Sequence, residues 1–368
     1  MFADRLARTR DRMVDLGVDV VLLSVGPDLP YLTGYEAMPL ERLTMLVVPR
    51  DDEATLVVPR LEAPRVIERP DVFALEPWDE TDDPVGLVAQ LAGRPAVVAI
   101  GDRTWARFLV DLTALLPGTT FRKASEVLGP LRAVKDPAEI AALRRAAAAA
   151  DRVAAQLQAG DIGLVGRTEA DVSADIGRRL RAEGHHRVNF AIVASGPNAA
   201  SPHHDPGDRV IRAGEVVLCD FGGTMLSGDG VGYCSDITRC VYTGEPPSEF
   251  RDLYGVLHAA QAAAVDAATV DTPCEDVDGV ARRIITEGGY GAHFIHRTGH
   301  GIGIEEHEDP YIVGGNCQPL APGHAFSVEP GIYLAGRFGA RLEDIVVATA
   351  AGPEALNTVD HDLVVVDG

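Results

Sequence analysis

Four acids, Asp220, Asp236, Glu329 and Glu343, each stand on or beside a short apolar strand pattern. In GEVVLCD (214–220), alternation puts Val216, Leu218 and Asp220 on one face. In GHAFSVE (323–329), Ala325, Ser327 and Glu329 form the same kind of row. An unpaired acid that continues an apolar face is costly to bury. Several acids brought together repel and hold their protons unless a cation lies among them. Any one of them alone would pass for a salt-bridged or strand-end acid; the set is most simply read as a metal site. The segment HRTGHGIGIEEHEDP (296–310) adds His300, set between two glycines that let the backbone come close. Four carboxylates and one imidazole make a hard, oxygen-rich ligand set. It suits two divalent ions per chain, Mn²⁺ first and Co²⁺ or Zn²⁺ next, better than one tetrahedral structural zinc. Such a pair turns a shared water into a hydroxide nucleophile.

The elements that position these acids repeat. Pro137, Glu139 and Leu143 are followed 110 residues later by Pro247, Glu249 and Leu253. Thr168-Glu169-Ala170-Asp171 is followed 104 residues later by Thr272-Pro273-Cys274-Glu275, each with the spacing of a helix-capping box. The GEVVLCD and GHAFSVE strands match, and a second acid-bearing strand follows in each half, with Asp236 and Glu343. Residues 137–244 and 247–350 therefore read as two copies of helix–helix–strand–strand. A duplicated α+β unit places its ligands at the junction between the copies.

A boundary is expected at GPLRAVKDP, giving domains 1–130 and 131–368. Just after it, Asp136 can cap a helix with Pro137 at its first position and Glu139 reaching back. Upstream, strand patterns at 18–25, 43–49, 54–59 and 96–102 alternate with helical ones, which predicts an α/β domain with some parallel pairing. Phe2, Leu6, Met13 and Leu16 form one face of an amino-terminal helix, and a further helix runs up to Pro117-Gly118.

The chain has 368 residues, 33 Lys and Arg against 55 Asp and Glu, and a net charge of −22. That balance argues against nucleic acid or an anionic membrane surface as partner. No run of about 18 apolar residues marks a membrane span. The start, MFADRLARTRDRM, is charged throughout, and the five cysteines form no C-x-x-C pair. Both features point to a reduced, cytoplasmic protein.

The segments DFGG, SDITR, TGHGIGIEEHE, SVEPGIY and RLEDI resemble the pita-bread metallopeptidases, which include methionine aminopeptidase, Xaa-Pro aminopeptidase and prolidase. LRAVKDPAEI resembles the family's domain junction, and the preceding stretch of about 130 residues points to the proline-specific branch. The resemblance implies a duplicated α+β pita-bread catalytic domain behind a smaller creatinase-like α/β domain. It implies dinuclear ligands at Asp220, Asp236, His300, Glu329 and Glu343, and a homodimer pairing through the amino-terminal domains. It also assigns substrate-contacting histidines to His203, with His204 as competitor, and to His307.

Arg341 and Glu343 are two apart on a strand and share a face, so Arg341 is either a fork for a substrate carboxylate or a charge partner of the ligand shell. Tyr333 is a candidate donor to the tetrahedral intermediate. The expected reaction is hydrolysis of an Xaa-Pro bond in a small peptide with proline second. Glu329 would accept the proton, and His203 or His307 would stabilise the oxyanion or protonate the leaving nitrogen. A dipeptidase is favoured over an aminopeptidase acting on longer peptides. A non-peptide C–N hydrolase on the same metals and a non-enzymatic binding module are the readings from other classes.

Overall fold

The computed structural model describes residues 1–366. The chain forms two compact units, Met1–Arg132 with Gly228–Val231, and Ala133–Ser227 with the chain from Gly232 onward.

The first unit is built on a six-stranded sheet: β1 (Val20–Leu23), β2 (Met45–Pro49), β3 (Thr55–Pro59), β4 (Ala74–Trp78), β5 (Val97–Ile100) and β6 (Thr120–Lys123), in the order β4-β3-β2-β1-β5-β6. β1 runs parallel to β5 and antiparallel to β2, so the sheet is mixed. The central strands are unbroken Val, Leu and Met runs because both faces are covered. Val20, Leu22, Met45 and Val47 pack with Val85, Val88, Phe108 and Leu112 of two helices. The amino-terminal helix Phe2–Leu16 buries Phe2, Leu6 and Met13, but also Arg5 and Thr9. β4 and β6 were not anticipated: Ala-Leu-Glu-Pro-Trp and Thr-Phe-Arg-Lys are half-exposed edge strands without an apolar run.

The second unit opens with helix Pro137–Gln158. Asp136 Oδ1 accepts from the backbone N–H of Ala138 (2.8 Å) and Glu139 (2.9 Å), and Glu139 Oε2 accepts from the Asp136 N–H (3.0 Å), completing the capping box. Asp136→Ala is expected to destabilise this unit by about 1 kcal/mol, read as a lower urea midpoint at unchanged slope.

Helix Glu169–Ala182 follows, then the antiparallel strands β7 (Arg187–Ser195), β8 (Val216–Leu226) and β9 (Gly232–Thr243). The second half repeats this with helices Ser248–Ala267 and Cys274–Glu287 and strands β10 (Gly299–Gly301), β11 (Glu308–Ile312), β12 (Ala325–Val328), β13 (Gly331–Leu334), β14 (Phe338–Arg341), β15 (Asp344–Thr349) and β16 (Gly352–Ala355). These form a five-stranded sheet, β11-β10-β12-β15-β16, and a β13–β14 hairpin; β17 (Val364–Val366) joins the edge of β9.

The repeat is physical, with one correction. Thr168 Oγ1 caps its helix by accepting from Asp171 N–H. Thr272 does not: Pro273 is the N-cap, and the Thr272 hydroxyl pairs with that of Thr269. A long-range contact does the capping in both halves. The first two helix N–H groups, of Glu169 and Ala170, donate to the carbonyls of Arg209 and Gly207; those of Cys274 and Glu275 donate to Gln318 and Asn316. The two 14-residue helices therefore align Thr168 with Pro273, one residue beyond the offset read from the sequence.

β8 is buried on both sides. Val217, Cys219 and Phe221 pack under Ala150, Val153 and Leu157, while Val216 and Leu218 face Phe250, Leu253 and Leu257. Asp220 continues the second row. The halves meet where Thr238 of β9 bridges Glu343, through Glu343 N–H to Thr238 O (3.3 Å).

Candidate active site

At that seam a cleft of about 480 Å³ is lined by Asp220, Asp236, His300, Glu329 and Glu343, together with His203, His307, Arg341, His296, Arg297, Glu306 and the apolar walls Phe190, Ile192 and Pro202. β8 and β9 supply Asp220 and Asp236. β10 supplies His300, and the ends of β12 and β15 supply Glu329 and Glu343.

Close packing aims the imidazole. A Cβ on Gly299 would lie 1.8 Å from Ser327 O, and one on Gly301 would lie 2.2 Å from Asp309 O, so neither position admits a side chain. Thr298, next to them, is pinned by buried Asp278, whose Oδ1 accepts from the Thr298 N–H (3.0 Å) and Oγ1 (2.8 Å). His300 Nδ1 lies 3.1 Å from Gly301 O, leaving Nε2 toward the acids, 3.2 Å from Glu329 Oε1 and 3.9 Å from Asp236 Oδ2.

Asp220, Asp236 and Glu343 are buried, and Glu329 is partly so. Asp236, His300 and Glu343 each offer a ligand atom within 4.8 Å of the others. Asp220 Oδ1 and Asp236 Oδ1 are buried and accept no hydrogen bond. Such orphaned oxygens are what a cation among the carboxylates would satisfy, so the residues fit a divalent metal. Burial, and then the neighbouring acids, push Asp236 and Glu343 well above the usual carboxylate range. Asp220 is raised as well, by burial, although Arg341 pulls against this. Glu329 goes the other way, to about 2: burial would raise it, but the hydrogen bond and charge of His300, with Arg341 and His296, outweigh that.

Glu343 and Asp344 are neighbours with opposite surroundings. Glu343 faces the cleft, with Thr238 Oγ1 donating to Oε2 at 2.7 Å. Asp344 faces away and is saturated by Arg239 (2.8 Å), Gln261 (2.9 Å) and His361.

Arg341 is fully engaged inside the protein. Nη2 donates to Asp220 Oδ2, Nη1 to the Tyr333 hydroxyl (2.8 Å) and Pro202 O (3.3 Å), and Nε to Thr238 Oγ1 (3.1 Å). Of the two roles open in the sequence, this geometry is that of the charge partner; the fork is turned on Asp220, not on substrate. Tyr333 stands behind the cleft wall, with its hydroxyl between Arg341 and His296 Nε2 (2.9 Å). His296 Nδ1 lies 2.7 Å from Arg297 O, so the phenolic proton goes to Nε2. The donor expected for a tetrahedral intermediate is thus already in use. His296 was not anticipated as a cleft residue; its position four before His300 was the available signal.

His203 lines the cleft. His204 turns away to Glu169, with Nε2 2.7 Å from Oε2. Glu169 is fully buried and also accepts from Ser195 N–H (2.7 Å) and Oγ (2.6 Å) and from Asn198, which fixes the segment that carries His203. Burial would raise the Glu169 pKa, but these hydrogen bonds lower it. Glu169 was read only as part of a capping box; nothing in its local sequence marks a buried acid. His307 lies against His300, with ring centres 3.9 Å apart and the ring planes tilted by 52°. Burial, His300 and Arg297 push it down to about 4, so it is neutral at pH 7. The buried pair Lys135 Nζ–Glu308 Oε1 (2.6 Å) anchors the strand next to it.

The chain is similar to known proteins over its whole length. Residues 141–350 match metallopeptidase family M24, and residues 5–134 match the creatinase/prolidase N-terminal domain. A Mycobacterium tuberculosis protein named "Probable dipeptidase PepE" is 44% identical over 370 residues, covering 100% of this chain and 97% of that one. The crystal structure of dipeptidase PepE from Mycobacterium ulcerans superposes with a TM-score of 0.92 at 43% identity, covering 100% of this chain and 98% of that one. A recombinant prolidase from Thermococcus sibiricus superposes with a TM-score of 0.93 at 34% identity, covering 100% and 99%. The acid-and-histidine cleft between two repeated halves, the match of residues 5–134 to a creatinase-type domain, and matches spanning the whole chain lead to one conclusion: this protein is a metallo-exopeptidase of family M24, with the pita-bread fold.

Proposed function

We propose that the chain is an Xaa-Pro dipeptidase using two divalent ions, manganese foremost, held by Asp220, Asp236, His300, Glu329 and Glu343. The observation that carries this reading is the convergence of those five side chains, two from one half and three from the other, around orphaned carboxylate oxygens. When bound, the ions supply Lewis acidity and a water acidic enough to be a nucleophile near neutral pH.

The protein's own groups do the rest. The Glu329 side chain is 15% exposed, against 11% for Asp220 and 5% for Asp236, and Glu343 is buried, so the Glu329 carboxylate reaches the cleft and accepts the nucleophile's proton. Arg341, steadied by Tyr333, holds the Asp220 carboxyl in place and pulls it toward its ionised form. His203 and neutral His307 donate N–H groups to the developing oxyanion and the leaving nitrogen. A bond before proline is a tertiary amide with no N–H to offer. Phe190, Ile192 and Pro202 with the cleft histidines give ring-sized walls that do not ask for one. The acids favour the substrate's cationic amino end. The names carried by the relatives, dipeptidase and prolidase, support the same choice.

The proposal extends to residues 1–130 as the creatinase-like domain and 131–368 as the catalytic one. It includes a homodimer paired through the first domain, where Val14, Ile67 and Val110 are exposed. A cytoplasmic location fits the five free cysteines. No helix among the described residues is long and apolar enough to cross a membrane.

The test compares Gly-Pro, Ala-Pro, Gly-Pro-Ala and Ala-Ala on metal-stripped protein before and after Mn²⁺ is added. Metal-dependent cleavage of the two proline dipeptides, with Gly-Pro-Ala and Ala-Ala cut far more slowly, is the expected result. Equal or better cleavage of Gly-Pro-Ala would make the enzyme an aminopeptidase.

A further inference from the structure

We propose that Arg297 binds the free carboxylate of the dipeptide, and that this contact makes the cleft select two-residue substrates. The inference rests on the peptidase reading above and names the group that sets substrate length. Two permanent cations line the cleft, Arg297 and Arg341. Arg341 has its three nitrogens committed to Asp220, Tyr333, Pro202 and Thr238. Among the described residues, Arg297 has no ion pair and its guanidinium donates no hydrogen bond; the guanidinium lies over the Tyr311 ring, 4.5 Å from Cζ to the ring centre.

That contact leaves Arg297 suited to a ligand. Stacking uses the face of a guanidinium and leaves its in-plane N–H groups as a fork that matches a carboxylate. The platform is also fixed before any ligand arrives. Thr298, the next residue, is held by Asp278 and donates its N–H to Ile312 O at 3.1 Å, and Tyr311 O accepts from Asn316 Nδ2 at 2.7 Å. Half-buried Arg297 therefore sits on a braced strand pair, which reduces the entropy lost on binding.

The charge pattern fits a zwitterion. The cleft acids suit an ammonium group at one end, and Arg297 is the cation not already neutralised. In a dipeptide the carboxylate follows the scissile bond by a single residue. In a tripeptide a neutral amide occupies that place and leaves the guanidinium facing no charge. Selection for length then follows from one unmatched cation, without a wall closing the cleft.

The test uses the full-length Mn²⁺-loaded enzyme with Arg297→Met and Arg297→Lys. Substrates are Ala-Pro, Ala-Ala and the carboxamide of each. The parent is expected to prefer each acid to its amide in kcat/KM by about 30-fold, the size of a charge-assisted hydrogen-bonded contact. Arg297→Met should erase that preference by slowing the acids while changing the amides less than about threefold, and Arg297→Lys should restore part of it. Calorimetric binding of Ala-Pro and its amide to metal-free protein gives the same comparison without turnover. A preference that survives Arg297→Met, or acids and amides that fall together, overturns the proposal. So does a parent that shows no preference in either turnover or binding. If the parent cuts Ala-Ala but not Ala-Pro and still prefers the acid, the proline reading fails while the role of Arg297 stands.

Discussion

Glu329→Gln is expected to lower kcat on Ala-Pro by about 10³-fold or more, the upper part of the range for loss of a positioned proton acceptor. The variant keeps the shape of the side chain and loses the negative charge. Glu329 is the acid whose carboxyl is held down to about 2, while burial and mutual repulsion raise the other three. A carboxyl held ionised in this way is free to take up a proton, while the other three need a cation among them to stay ionised. Steady-state rates with metal content measured on the same samples make the check. A variant within tenfold of the parent at equal metal content would remove Glu329 from proton transfer.

Metal removal should have the second large effect, on stability as well as activity. Asp220, Asp236 and Glu343 have raised pKa values in the metal-free fold. There they keep protons that the unfolded chain releases above about pH 4. The folded state then binds more protons than the unfolded one, so metal-free stability falls as pH rises from about 4 through the raised values. Metal binding replaces those protons, so the gain from Mn²⁺ grows with pH. At a free concentration of about 1,000 Kd the gain is about 4 kcal/mol, or about 10 °C for a domain of this size. Differential scanning calorimetry with and without Mn²⁺ at about pH 5 and 8 tests the sign. His300→Ala should abolish turnover and remove most of the gain. A metal-induced rise in Tm that is flat or shrinks toward high pH would show that the acids are not exchanging protons for the ion.

What the sequence made legible was local. Asp136-Pro137-Ala138-Glu139 specifies its capping box within four residues, and the box forms. The alternation of VVLCD put Asp220 on a definite face, and the glycines around His300 signalled close approach. Arg341 shows the limit: two-residue spacing fixes which way a side chain points, not that Asp220, from 121 positions upstream, will be waiting there. Thr272 had the right spacing for a cap, but carbonyls from residues 316 and 318 took over the work. Glu169 stands within a capping-box pattern and Asp278 carries no local signal, because the backbone groups they hold, at Ser195 and Thr298, lie about 20 residues or more away. β4 and β6 lacked any apolar signature because edge strands bury little.

The bridge between Thr238 and Glu343 has a consequence for how the protein is made. Asp220 and Asp236 precede the seam, while His300, Glu329 and Glu343 follow it. A polypeptide still emerging from the ribosome, and any fragment ending before residue 343, lacks part of the donor set. With the proposed donor set, hydrolytic power would arise only once nearly the whole chain has been synthesised and its two halves have closed on each other, and incomplete products would not attack peptides.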